Sequence, residues 1–210
     1  MPYDREKHHH AFSRAPLGYA RGRQGRRSIR LPGYDYTSPG AYFVTICVRG
    51  RECLLGEIVD GEMRLNEWGR IAAESWQWLG QQYPYVSLDA WVIMPNHMHG
   101  IIVIHEDDTV HTDGGSRDDS RIAPTIAAVK KRKPLGRLVG AFKTVSTKHI
   151  NQLRDMPGVP FWQRNYWEHI VRNETSLNRI REYIQNNPAR WIEDQLHPAA
   201  PPNPFNQGPS

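Results

Sequence analysis

Trp91-Val92-Ile93-Met94-Pro95-Asn96-His97-Met98-His99-Gly100-Ile101-Ile102-Val103-Ile104 reads as two apolar strands joined by a tight connection at Pro95-Asn96. Side chains two apart on a strand point to the same face. His97 and His99 therefore project side by side from a rigid sheet. Two imidazoles with fixed directions lose little entropy on binding, which suits a metal ion. The spacing does not choose the metal. Strand His-x-His pairs serve zinc enzymes as readily as magnesium or manganese nucleases, and a third ligand and a nucleophile must come from elsewhere. Pro95, Asn96 and the histidines interrupt the apolar run too often for a membrane span.

Outward from this stretch, helices and strands alternate. Ala41–Val48 is rich in β-branched and aromatic residues and reads as a strand. Asn66 is placed to cap a helix running to about Gln82, with Trp68, Ile71, Ala72, Trp76 and Leu79 at helical spacing. Strands at 87–94 and 97–105 follow. A run at about 106–133, acidic and then basic, has no apolar periodicity and reads as a mobile insertion. Leu135–Leu153 reads as a second helix, Phe161–Val171 as a fourth strand, and Thr175–Asn186 as a final helix. The order β-α-β-β-α-β plus one helix predicts an α+β fold: a ferredoxin-like, split βαβ antiparallel sheet with an extra C-terminal helix. Such a sheet carries helices on one face and leaves the other available.

Charge and cysteines narrow the setting. The chain has 210 residues and a formal net charge of +5, enough for one domain with tails. Residues 1–30 hold eight Lys or Arg against Asp4 and Glu6. That surplus of six leaves the rest of the chain at −1. Residues 1–25 read as a disordered basic arm suited to a polyanion, and 193–210 as a disordered Pro-rich tail. Cys47 and Cys53 are the only cysteines, which excludes a disulfide scaffold and a thiolate zinc site and fits a cytoplasmic protein. No signal segment or membrane anchor is evident.

The final helix carries two polar residues at the edge of its apolar stripe. Leu177, Ile180 and Ile184 form its apolar stripe. Tyr183 and Asn187 are four apart, so they share a face, one turn apart, at the border of that stripe. Pro188 disfavours helical geometry at Asn187 and predicts that the helix ends there. An Asn in that place also serves as an ordinary C-terminal cap.

Met94-Pro95-Asn96-His97-Met98-His99 and Tyr183-Ile184-x-x-Asn187-Pro188 resemble the two signatures of the REP-associated tyrosine transposases, single-tyrosine members of the His-hydrophobic-His (HUH) transposases. Ser28–Tyr36 and Trp162–Tyr166 also look like this family, so the resemblance covers about residues 26–192. It implies that His97, His99 and Asn187 hold Mg²⁺ or Mn²⁺. Tyr183 would attack single-stranded or hairpin DNA to give a 5′-phosphotyrosine and a free 3′-hydroxyl, a nicking step that rejoining reverses. The chain would act as a monomer or homodimer. Arg26, Arg27, Arg30, Lys143, Lys148 and Arg164 are candidate phosphate contacts. Two other functions fit part of the pattern: a DNA-binding protein of this fold that does not cleave, and a zinc hydrolase built on His97 and His99. The second needs a further His or carboxylate.

Overall fold

A computed structural model describes residues 30–106 and 132–201. The basic arm at 1–25, the adjoining Arg26 and Arg27, nearly all of the 106–133 insertion and residues 202–210 lie outside the described residues. The elements are β1 (Gly40–Cys47), β2 (Gly56–Val59), β3 (Glu62–Leu65), α1 (Glu67–Gln82), β4 (Val86–Ile93), β5 (His97–Ile104), α2 (Leu135–Leu153), β6 (Trp167–Val171) and α3 (Glu174–Asn186). Short 3₁₀ turns occupy Arg49–Arg51 and Pro188–Glu193.

Strands β4, β5, β1 and β6 lie in that order in one sheet, and every neighbouring pair is antiparallel. The first long strand thus sits between the third and the fourth. This is an α+β fold with the strand order of the split βαβ pattern. Both long helices begin and end where the apolar spacing predicts. Asn66 caps α1 as expected, its side-chain oxygen accepting from Gly69 N at 2.9 Å.

Three features depart from the sequence reading. The hairpin β2–β3 was not expected. Its strands are four residues each, too short for a clear period-two signal, although Asp60-Gly61 at positive φ is a recognisable hairpin turn. The fourth strand starts at Trp167, not Phe161. Phe161 and Trp162 are buried in the core instead, with an isolated bridge from Trp162 to Val48. Finally, helices cover both faces of the sheet. Tyr42, Val44 and Ile46 of β1 and Met98, Ile102 and Ile104 of β5 pack with Trp76 and Leu79 of α1 and Leu138 and Phe142 of α2. On the other face, Phe43 and Ile101 pack under Ile180 and Ile184 of α3.

Strand alternation assigns the histidines to a face. His97 and His99 share the parity of Ile101, so they lie on the α3 side. Gly100 points the other way, against α1. A Cβ there would sit 2.5 Å from Cζ2 of the buried Trp76, so β5 can lie this close to α1 only without a side chain at that position.

Candidate metal and tyrosine site

Helix α3 is anchored so that its polar edge meets the histidines. Asn173 caps its start, accepting from Ser176 N at 2.8 Å. Ile180 and Ile184 bury its stripe on Phe43 and Ile101. Arg181 forms a two-pronged ion pair with Asp89 of β4, at 2.9 and 2.6 Å. That pairing holds the Asp89 carboxyl below its ordinary range. Tyr183, at the stripe's border, is thereby placed over β5, and its hydroxyl lies 3.2 Å from His99 Nε2.

The two imidazoles converge. His97 Nε2 and His99 Nε2 are 3.0 Å apart, and His97 and His99 are 0% and 3% exposed. Each ring is held from behind. Asn96 Nδ2 donates to Arg51 O at 3.1 Å and to Leu196 O at 2.8 Å, which turns its Oδ1 toward His97 Nδ1 at 2.8 Å. His97 Nδ1 therefore carries the proton, and its Nε2 presents a lone pair. Thr45 Oγ1 contacts His99 Nδ1 at 2.8 Å. When Thr45 accepts, His99 Nε2 is also free to bind a cation. Burial, with Arg51 adding to it, pushes His97 down to about 3. Burial and then His97 push His99 well below its ordinary value. Both rings are thus neutral at physiological pH, as metal ligands must be.

Asn187 lies beside the cluster, joined to it through Asp194, and its backbone departs from the sequence expectation. It keeps helical backbone angles, and Pro188 begins the following 3₁₀ turn. Proline fits the start of such a turn because its missing N–H has no partner to lose. The chain therefore does not leave the domain at Asn187 but curls back. Trp191 brings its ring to 5.9 Å from His97, and Asp194 Oδ2 reaches 3.8 Å from His97 Nε2. Residues 193–201 of the expected disordered tail are described, and Leu196 is tied to Asn96. Asn187 Nδ2 donates to Asp194 Oδ2 at 3.2 Å. Its Oδ1 is buried with no hydrogen-bond partner among the described residues. A buried carbonyl oxygen without a donor is costly, and a cation beside the histidines would satisfy it.

One atom each of His97, His99 and Asp194 lie within 4.8 Å of one another. Asp194 escaped the sequence reading because its position depends on the path of the 3₁₀ turn and not on any local period. The donor set of two imidazoles and a carboxylate, with the unpaired Asn187 oxygen beyond Asp194, fits a divalent ion. Tyr183 is pushed above its ordinary pKa by burial and by Asp194, against the smaller opposing effects of Asn187 and Arg190.

The candidate phosphate contacts among the described residues, Arg30, Lys143, Lys148 and Arg164, do not gather here. Arg30 lies over the Tyr36 and Tyr166 rings and donates to Tyr166 Oη at 3.2 Å. Lys143 donates to Gln163 O at 2.7 Å and Asn165 O at 3.0 Å, and burial pushes it down to about 8. It ties α2 to the loop before β6. Lys148 and Arg164 are exposed and, with Lys143, line a groove of about 840 Å³ between α2 and that loop.

No protein-family model matches the chain. A Haemophilus influenzae chain named only "Uncharacterized protein" is 41% identical over 180 residues, 85% of this chain and 97% of that one. A second protein of that organism, named "Putative REP-associated tyrosine transposase", is 24% identical over 156 residues, 74% of each chain. A solved REP-associated tyrosine transposase bound to a REP hairpin matches with a TM-score of 0.51 at 21% identity, covering 79% of this chain and 74% of that one.

This chain is a distant homologue of the REP-associated tyrosine transposases.

The solved transposase carries the likeness in fold, a four-stranded antiparallel sheet with helices. Among the described residues, no helix of this transposase relative is long and apolar enough to cross a membrane.

Proposed function

We propose that the protein nicks and rejoins single-stranded DNA through Tyr183, in the presence of Mg²⁺ or Mn²⁺, acting on hairpin-forming repeat DNA. The observation that carries this reading is the Tyr183 hydroxyl 3.2 Å from His99 Nε2, at the point where both Nε2 atoms converge. Asn187 Oδ1, one helical turn away, has no hydrogen-bond partner among the described residues.

The residues divide the work. A divalent cation held by His97, His99 and Asn187, with Asp194 beside them, would polarise the scissile phosphate and favour the ionised phenol. The Tyr183 oxygen attacks phosphorus, the Tyr–O–P bond forms and the bond to the 3′-oxygen breaks. The phenol proton passes to solvent, and the departing 3′-oxygen takes one up. The phosphotyrosine stores the bond, so a 3′-hydroxyl can reverse the step without an external energy source. Asn96 and Thr45 hold the imidazoles in the required orientations. Tyr183 contacts a histidine of its own chain, which supports action in cis.

A 3′-labelled single-stranded oligonucleotide that folds a repeat hairpin tests this. Label should move to the protein band on a denaturing gel with Mn²⁺ and not with EDTA. Tyr183→Phe should abolish the adduct while DNA binding stays near normal. Wild-type protein that binds the DNA without forming an adduct would favour a non-cleaving binding protein. The His97/His99/Asp194 grouping favours a second reading, a hydrolytic zinc site. That reading gives Tyr183 no covalent role, so metal-dependent cleavage retained by Tyr183→Phe would select it.

A further inference from the structure

Helix α3 packs over Phe43 and Ile101 and reaches the far end of the edge strand β6 at Val171, but the start of that strand stays open. On that edge Trp167 is 44% exposed, an unusual place for so large an apolar side chain. It lies parallel to the exposed His169, the ring planes tilted by 5° and the centroids 6.1 Å apart. Core packing explains neither ring.

Register ties this pair to the site. Thr45 pairs with His99 on one side and with Trp167 on the other. Trp167 thus stands in the same row and on the same face as His99, two strands away, about 10 Å. Phe43 bridges the gap edge-on, 5.4 Å from His99 and 5.6 Å from Trp167. Electrostatics near the pair suit a nucleotide. Arg172 is close enough to lower the basicity of His169, after burial. Glu168, the acid between the two rings in sequence, is buried on the opposite face near Arg30, at 3.9 Å.

We propose that Trp167 and His169 form a base-stacking platform on β6 that holds an unpaired base next to the phosphate reacting at His97, His99 and Tyr183. The inference rests on the single-stranded DNA reading above and deepens it. An aromatic plane accepts any base, since every base has a π-face. Its contribution would be placement of the strand across the sheet, with sequence supplied elsewhere.

The test needs no metal and no cleavage. In EDTA and in a Tyr183→Phe background, fluorescence anisotropy compares a thymidine oligonucleotide with an abasic one of equal length. Trp167→Ala should weaken thymidine binding about ten-fold, within the range for loss of one stacked base, and leave abasic binding unchanged. Trp167→Phe should keep most of the thymidine affinity, whereas Trp167→Leu, which preserves bulk without a ring, should lose it. Equal loss on both oligonucleotides, or unchanged thymidine binding in Trp167→Ala and Trp167→Leu, overturns the platform while leaving adduct formation by wild type intact. Failure of wild type to bind the thymidine oligonucleotide also overturns the platform, while label transfer from the hairpin oligonucleotide decides the nicking reading separately.

Discussion

Asn187 and Asp194 share a hydrogen bond but have different relations to the histidines. Asn187 has a buried oxygen without a donor, while Asp194 brings a formal negative charge to 3.8 Å from His97 Nε2. A carboxylate attracts a hard cation more strongly than an amide does. Isothermal titration with Mn²⁺ should therefore show Asp194→Asn weakening binding by about 100-fold and Asn187→Ala by about ten-fold, the scale seen when groups around a metal are removed. Unchanged affinity in the Asn187 variant would strike it from the ligand set. Unchanged affinity in the Asp194 variant would reduce that residue to a tether for Asn187. At this scale the sequence is readable where the signal is local. The shared face of His97 and His99 follows from period two and that of Tyr183 and Asn187 from a four-residue helical step, while the roles of the latter two come only from the family resemblance. Asp194, Asn96 and Thr45 take their roles from contacts distant in sequence, which no short pattern encodes.

At the scale of elements, the site depends on how closely β5 can sit on α1. Gly100 follows His99 directly and faces the buried Trp76. Gly100→Ala would force a methyl group into that ring, so strand or helix must shift. Overpacking of this kind costs roughly 1–3 kcal/mol. Urea denaturation should show a lower midpoint with an unchanged slope, and Trp76→Phe in the same background should recover part of the loss. A Gly100→Ala protein as stable as wild type would mean that the Trp76 ring moves freely. The ends of α1 and α2 were legible because apolar spacing and Asn66 agree. The missed hairpin β2–β3 has strands too short to establish a period. The misplaced start of β6 has another cause: Phe161 and Trp162 have strand-like composition, but they are used as core plugs beside the sheet.

At the scale of the whole molecule, one chain carries the complete constellation, with Tyr183 against its own His99. Mixing Tyr183→Phe with His99→Ala protein should therefore restore no DNA adduct on the gel, whereas recovery would place the tyrosine in trans. The charge distribution supports a separate expectation. Residues 1–30 carry a surplus of six positive charges in a chain of net +5, while the candidate site is built from residues 45–196. The expectation is that chemistry and bulk electrostatic attraction reside in different segments. Backbone phosphates bind cationic side chains by releasing counterions, and each contact to a single strand adds about −0.7 to the slope of log K against log salt. Deleting residues 1–25 removes Arg5, Lys7, Arg14, Arg21 and Arg23 and keeps Arg26, Arg27 and Arg30. The shortened protein should bind single-stranded DNA more weakly at low salt, with a flatter salt slope. Its adduct-forming rate at saturating DNA should match that of the full chain, because none of the candidate site residues is removed. An identical affinity and slope would leave the arm with no part in DNA binding. A slower rate at saturation would mean that the arm also positions the strand at the tyrosine.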